Sequence, residues 1–290
     1  MSRAICILLA SISLTTLLDA APLELTFASY NIRYENKEDR AWRSWPDRLQ
    51  RLVATIRRMN PDVLGVQEAL HAQVADLRLS LTDYEFYGVG RDDGRKQGEY
   101  SGIFFRRQRL TVDPSDAGTF WLSDTPQQPG SMTWGNRIPR ISTWLHLRDN
   151  NSGRGITVFN THWDHIHQGS REKAAALISQ RIDVRIHRDE PVVLLGDFNA
   201  TEGNPAVDLL AGRIAGWSHS LLDTYQRLHA GEKNRRTLHF WKNNKDGWAK
   251  VDHILASKPC QIIAAEIGYP AVNVNPASDH FPVFSRVSWP

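Results

Sequence analysis

The run PVVLLGDFNATEGNPA (191–206) brings an apolar, Val- and Leu-rich stretch to an end on a carboxylate, Asp197, and a carboxamide, Asn199. At alternate positions of an extended chain the two side chains point the same way. Other strand-like stretches end similarly: 23–31 on Asn31, 63–68 on Glu68 and 155–162 on His162. Near the C-terminus, KVDHILAS carries Asp252 and SDHFPV carries Asp279 and His280. Gly, Asp and Asn are also turn formers, so one such strand end carries little weight. In α/β sheets, however, ligands bind outside the carboxyl ends of strands, and a polar group on so many of them is harder to attribute to turns. The chemistry open to this set is hydrolytic. A carboxylate near water serves as base or orienter, an imidazole donates to an anionic centre or leaving oxygen, and a second carboxylate fixes the imidazole's tautomer. Oxygen donors suit a hard divalent cation. No cysteine or serine nucleophile motif is present, so direct attack by water is expected.

Elements must hold these groups together. DRLQRLVATIRRM (47–59) places Leu49, Leu52, Val53, Ile56 and Met59 on one helical face. A second helix is expected over 71–80, a third in SREKAAALISQRIDVRI with Ser170 as its N-cap, and a weak one over 204–212. Strand-like runs are YEFYGVG, EYSGIFFRR and RLTVDPSDAGTFW, and RISTWLHLRD and GITVFNTHWDH read as a hairpin around NNSGR. Further strands are expected near 237–241, 251–256, 261–267 and 282–288. The order suggests two packed sheets with helices outside, in one domain over 21–290.

Residues 1–20 read as a signal peptide, with Arg3 before an apolar run too short to span a bilayer, so the mature chain is expected to be secreted or periplasmic. Cys260 is then the only cysteine, and no intrachain disulfide is expected. The net charge of +3 is spread along the chain, which permits an anionic substrate without demanding one. No apolar amphipathic segment argues for stable membrane insertion, and no obligate protein partner is evident.

SYNIRY, LGVQE, NTHWDH, LLGDFN, VDHIL and SDHFPV, in this order, resemble the endonuclease/exonuclease/phosphatase superfamily. The resemblance covers residues 25 to 288, and THWDH is similar to a branch near the deadenylases. It implies a four-layer α/β/β/α sandwich of two mixed sheets, as in deoxyribonuclease I, with the active site where the sheets meet. It also implies a divalent-metal hydrolase of phosphate esters, with Mg²⁺ as cofactor and Mn²⁺ as the alternative. By motif, Glu68 would ligate the cation with Asn31 beside it, and Asp279 would support the metal or the neighbouring histidine. Asp197 would position or deprotonate the attacking water, and Asn199 would help hold water and phosphate. Asp252 would pair with His280. His162 would contact phosphate and pair with Glu99, the match to a glutamate of the deoxyribonuclease branch, while Arg140 is a further phosphate-binding candidate. The substrate expectation is a phosphodiester, nucleic acid among the candidates. The alternatives are a phosphatase or phospholipase acting on head groups or small phosphates, and a non-catalytic phosphate-binding module. ALHAQ after Glu68, where the exonuclease III branch has TK, argues against abasic-site repair.

Two features stay outside that scheme. HWDHIHQG offers His162, His165 and His167, but His162 ends a strand, so the spacing is not that of a helical zinc motif; solvent-facing loop positions are expected for His165 and His167, with Asp164 and His165 bordering the site. ENKEDRAWRSWPDR and NNKDGW mix charge with tryptophan. Trp42, Trp45 and Trp248 are read first as residues packing loops onto the sandwich, and second as a substrate-holding rim, with Arg43 and Arg48 open.

Overall fold

A computed structural model describes residues 21–214 and 220–290, so the segment 1–20, expected to be a signal peptide, lies outside the described residues. The first half of the chain runs β1 (Leu23–Asn31), α1 (Trp45–Met59), β2 (Val63–Ala69), α2 (His71–Ser80), β3 (Tyr84–Tyr87), β4 (Tyr100–Arg106) and β5 (Leu110–Trp121). Next come β6 (Ile141–Asp149), β7 (Gly155–His162), α3 (Gln168–Asp183), β8 (Val192–Asp197) and α4 (Pro205–Leu210). The chain closes with β9 (Leu221–Asp223), α5 (Thr224–Leu228), β10 (Asp252–Ser257), β11 (Gln261–Ile267) and β12 (Val283–Trp289). Two six-stranded mixed sheets result, ordered β11-β12-β1-β2-β4-β3 and β5-β6-β7-β8-β10-β9.

Alternation along the strands builds three apolar layers. Leu25, Phe27, Ile103, Leu145, Val158, Val193 and Leu195 fill the space between the sheets. Leu52, Val53 and Ile56 of α1 and Val74 and Leu77 of α2 cover the first sheet, and Ala174, Ala175 and Ile178 of α3 cover the second with Val207 and Leu210 of α4. The four-layer α/β/β/α sandwich is therefore present. Its sheets touch closely behind the site: a Cβ on Gly65 would stand 2.1 Å from Leu195 Cδ1 and 2.8 Å from Asn160. Asn160 donates to the carbonyls of Val66 (3.0 Å) and Gly102 (2.8 Å) and accepts from Gln67 Nε2 (2.7 Å), a polar bolt between sheets.

Several local expectations change. Helix α3 opens two residues before Ser170, because His167 is the cap and its Nδ1 accepts the Ser170 N–H. The strand expected near 237–241 is reduced to a single bridge between Leu238 and His280, since Phe240 and Trp241 sit at φ +49° and +63°, a left-handed bend that ends extension. The expected helix over 204–212 shortens to Pro205–Leu210.

Candidate active site

Asp197 occupies the middle of the second sheet's carboxyl end. In register, His162 of β7 lies beside it on one flank and Asp252 of β10 opposite it on the other. The first sheet contributes Asn31 and Glu68 from adjacent strands. Asn31 is fully buried, and its Nδ2 donates at 3.0 Å both to Glu68 Oε1 and to Asp197 Oδ2, joining the sheets across the cleft. Glu68 lies at φ +63° where the β2–β4 register slips between Val66 and Ala69. A left-handed conformation costs a non-glycine residue roughly 1–2 kcal/mol, and bulges commonly re-aim a side chain beside a site. Asn199 is likewise left-handed, at φ +47°, with its N–H on Asp197 Oδ1 (2.9 Å).

Asp252 Oδ2 and His280 Nδ1 are 2.9 Å apart, as the pairing expectation requires, and His280 Nε2 lies 3.8 Å from Asp197 Oδ2. All three are buried. Burial alone would lower the His280 pKa, but Asp252 and Asp197 outweigh it and push it up to about 10. Burial, reinforced by Asp252, drives the Asp197 pKa upward into the neutral region. The arrangement thus sets a cationic imidazole beside a carboxylate able to take up a proton near neutral pH.

His162 is the opposite case. Burial, then Arg140 and Arg91, hold it well below the usual imidazole range, so it is neutral. Its Nε2 faces Asn199 Nδ2 at 3.0 Å, and its Nδ1 is buried without a partner. The expected Glu99–His162 pair is not formed. Both Glu99 oxygens go instead to Arg91, at 2.8 and 2.7 Å, because a guanidinium fork matches a carboxylate better than a neutral imidazole does. Arg140 is 3% exposed. Its Nη2 contacts His165 Nδ1 at 2.9 Å, and its Nε stands 3.9 Å from Asp164 Oδ2. Nε and Nη1 of Arg140 have no hydrogen-bond partner. Asp164 and His165 therefore border the site through Arg140, while His167 caps α3, and the three histidines share no common centre.

The cleft, about 490 Å³, is lined by these groups together with Arg33, Tyr34, Arg91, Ile138 and Phe240. Sequence patterning passed over Arg91, whose only sign is an arginine in the glycine-bearing loop after a strand, and Phe240, which is 62% exposed at the cleft. Arg48 proves to be scaffold: fully buried, it donates to the carbonyls of Ile32, Arg33 and Arg43 and fixes the loop after β1. Trp45 is buried and Trp42 meets Trp241 edge-on, as packing residues do, but Trp248 is 67% exposed and packs no loop down.

Glu68, Asp197, Asp252 and Asp279 bring four carboxyl groups into the cleft and its walls, facing Arg33, Arg91, Arg140 and the cationic His280. Burial, with Glu68 nearby, holds the Asp279 carboxyl above its ordinary range against His280. Oxygen donors crowded in this way fit a hard divalent cation. Glu68 and Asp279 are the carboxylates free of a strong ion pair, and Asn31 joins them if its amide turns its oxygen, now accepting the Arg33 N–H at 3.0 Å, toward Glu68. Ligand atoms of Asp197, Asp252 and His280 also lie within 4.8 Å of one another, but a protonated His280 has no lone pair to offer.

Behind Asp252, a buried ionic cluster steadies the floor. Lys250 Nζ is 2.9 Å from Asp223 Oδ2, which lies 2.7 Å from His253 Nδ1, and His253 Nε2 donates to the Ala200 carbonyl at 2.9 Å. Burial raises the Asp223 pKa, yet Lys250 and His253 outweigh it and hold the carboxyl far below the usual range. With the folded pKa depressed, this stability is present above the unfolded carboxyl value and fades as pH falls toward the folded one. Asp223→Asn leaves Lys250 buried without its counter-ion and is expected to cost about 3–5 kcal/mol in urea unfolding. A loss under about 1 kcal/mol, the scale of an exposed pair, would show the cluster to be incidental.

The family model described as the Endonuclease/Exonuclease/phosphatase family matches residues 28–280. A solved endonuclease/exonuclease/phosphatase from Bacteroides vulgatus is 31% identical, with TM-score 0.84, covering 92% of this chain and 100% of that one. A mannosyl-6-phosphatase from Bacteroides thetaiotaomicron is 30% identical, with TM-score 0.81, covering 91% of this chain and 99% of that one. An uncharacterized protein, L388 of Acanthamoeba polyphaga mimivirus, is 28% identical over 170 residues, a match spanning 54% of this chain and 60% of that relative. The six motifs, the two-sheet sandwich and the cleft where its sheets meet agree with these likenesses, and the chain belongs to the endonuclease/exonuclease/phosphatase family of phosphoester hydrolases.

Proposed function

We propose that this chain hydrolyses phosphomonoesters of small hydroxylated molecules, sugar phosphates in particular, by direct attack of water on phosphorus. The observation that carries this reading is Arg140, a buried guanidinium lining the cleft whose Nε and Nη1 make no hydrogen bond. A terminal phosphate is dianionic and presents three oxygens, which suits Arg140 with the His162, Asn199 and His280 side chains around it better than a singly charged, doubly substituted diester. A cleft of about 490 Å³ is also of small-molecule size. The 30% identity to a mannosyl-6-phosphatase supports the same class.

In this scheme Arg140, His162 and Asn199 bind and orient the phosphate. Asp197 positions the attacking water and takes its proton, favoured by its raised pKa. His280, held cationic by Asp252, donates to the phosphoryl oxygen or to the departing alcohol oxygen. Glu68, Asn31 and Asp279 would hold Mg²⁺, or Mn²⁺ in its place, which when bound offsets the negative charge of the phosphoryl group.

A nuclease-like phosphodiesterase is the second reading. Phe240, exposed at the cleft mouth, offers a face on which a base could stack. The two readings separate in one panel: mannose 6-phosphate and other sugar phosphates against bis-p-nitrophenyl phosphate, DNA and RNA oligonucleotides, each with Mg²⁺ or Mn²⁺. The expected result is a kcat/KM for the best monoester about 10²-fold or more above any diester. The reverse order would replace the monoester reading with the diester one, and turnover of nothing in the panel would contradict both.

A further inference from the structure

A second polar cluster lies on the other side of the second sheet. In β6, Leu145 and Leu147 face the core between the sheets, so His146 between them faces outward with Trp144. Along the β5–β6 pair, Val112 stands opposite Leu147 and Ala117 opposite Leu145. The four residues Asp113 to Asp116 thus oppose His146 alone, a bulge that carries the Asp113 carboxylate up to the imidazole. His187, in the connection from α3 to β8, stacks on His146 with ring centroids 3.8 Å apart.

We propose that Asp113, His146 and His187 bind a borderline divalent cation of the Zn²⁺ class at a site separate from the catalytic cleft. Ligand atoms of the three residues lie within 4.8 Å of one another. His146 is 2% exposed. Its Nε2 is held by Glu190 Oε2 at 2.7 Å, and its Nδ1 is buried with no partner. A carboxylate on one ring nitrogen and a vacant lone pair on the other is the arrangement that orients and strengthens a metal-bound histidine. The glycine at position 155 makes room for it, since a Cβ there would stand 2.0 Å from Glu190 Oε2.

Two imidazoles and one carboxylate select zinc-class ions over Mg²⁺ or Ca²⁺, which prefer all-oxygen sites. In a tetrahedral site with bonds of 2.0–2.1 Å, ligand atoms stand about 3.4 Å apart, so the cluster must close by about an ångström. His187 and Asp113 are only half-buried, on a loop and a bulge, and binding requires His187 to leave its stack on His146 so that its ring plane points at the ion. Asp113 is already aimed by Ser115, whose N–H and Oγ donate to its Oδ1 at 2.9 and 2.6 Å, leaving Oδ2 for the ion. His146 lies five residues into β6, roughly 17 Å along an extended strand from the end that meets the cleft, so occupancy here does not compete with the phosphate site.

The test uses the full chain stripped with EDTA, dialysed, and titrated with Zn²⁺ alone by calorimetry, with Co²⁺ absorption as the readout of tetrahedral nitrogen and oxygen ligation. The wild type is expected to bind one more Zn²⁺ per chain than Asp113→Asn/His187→Ala. Only the wild type should give the Co²⁺ band and a Zn²⁺-dependent rise in Tm. Glu190→Gln should keep the stoichiometry and weaken this site's affinity about 10- to 100-fold. Metal-free Tm of the double variant guards against misfolding; should it fall, His187→Gln alone replaces it. Equal Zn²⁺ stoichiometry in wild type and a folded variant, or a wild-type Co²⁺ spectrum without a tetrahedral band, overturns the proposal.

Discussion

Replacing His280 with alanine is expected to lower kcat by about 10²–10⁴ while changing KM less. The imidazole sits at the meeting point of Asp252 (2.9 Å) and Asp197 (3.8 Å) and is held cationic by both. In the proposed scheme its donation to the phosphate would strengthen as charge moves to the phosphoryl and leaving oxygens, so its loss should be felt mainly in the transition state. Asp252→Asn removes the charge that keeps the ring protonated and should fall in the same range. Because Asp252 is buried and its one hydrogen-bonded partner at Oδ2 is His280, most of its effect should run through that ring, so the double variant should lose little more than His280→Ala alone, the remainder reflecting its charge beside Asp197. The pH profile follows the sign of the shift. A raised folded pKa keeps His280 protonated from acid through neutrality, so its contribution is lost only as pH rises toward about 10. The single variants, checked for wild-type Tm, are assayed on the best substrate of the panel. Near-wild-type turnover in both would remove His280 from the mechanism, and additive losses would show that Asp252 acts apart from it.

Much of this site was legible in the sequence because strand periodicity and residue type both survive folding. Asn31, Glu68, His162, Asp197 and Asp252 come to one cleft since each lies at a strand end on the same edge of the sandwich, and His280 joins them from the loop before β12. Pairing partners were less legible. Glu99 was expected on His162 and went to Arg91, a choice set by the loop that carries Arg91 back over β4. Arg48 sits beside the site in sequence pattern, yet three-dimensional packing turns it into a clamp on backbone carbonyls. The bend at Phe240 and Trp241 rests on two left-handed residues with none of the usual glycine or asparagine signal, and it put an aromatic at the cleft where a strand was expected. The short β9 and α5, three and five residues long, are below the length at which a period can be read. The Asp113–His146 cluster depends on a bulge, which leaves no trace in hydrophobic pattern.

Glu68, turned into the cleft by a left-handed bulge, is expected to hold the divalent cation on which phosphoester hydrolysis depends. Glu68→Gln keeps the side chain's size and its hydrogen-bonding oxygen but removes the charge. An oxygen-ligand site that loses one of its carboxylates binds a hard cation far more weakly, so half-maximal activation should need about 10²-fold more Mg²⁺. The fold should hold, because Glu68 is only partly buried and a glutamine oxygen can keep one of its two contacts, that from Asn31 Nδ2 to Oε1 or that from the Tyr34 N–H to Oε2. The direct measurement is a Mg²⁺ titration of phosphate release by EDTA-stripped wild type and Glu68→Gln side by side. The expected result is no turnover in EDTA, saturable recovery in the wild type, and a curve for the variant displaced about 10²-fold to higher Mg²⁺. Full activity in EDTA, or superimposable curves for the two proteins, would contradict it.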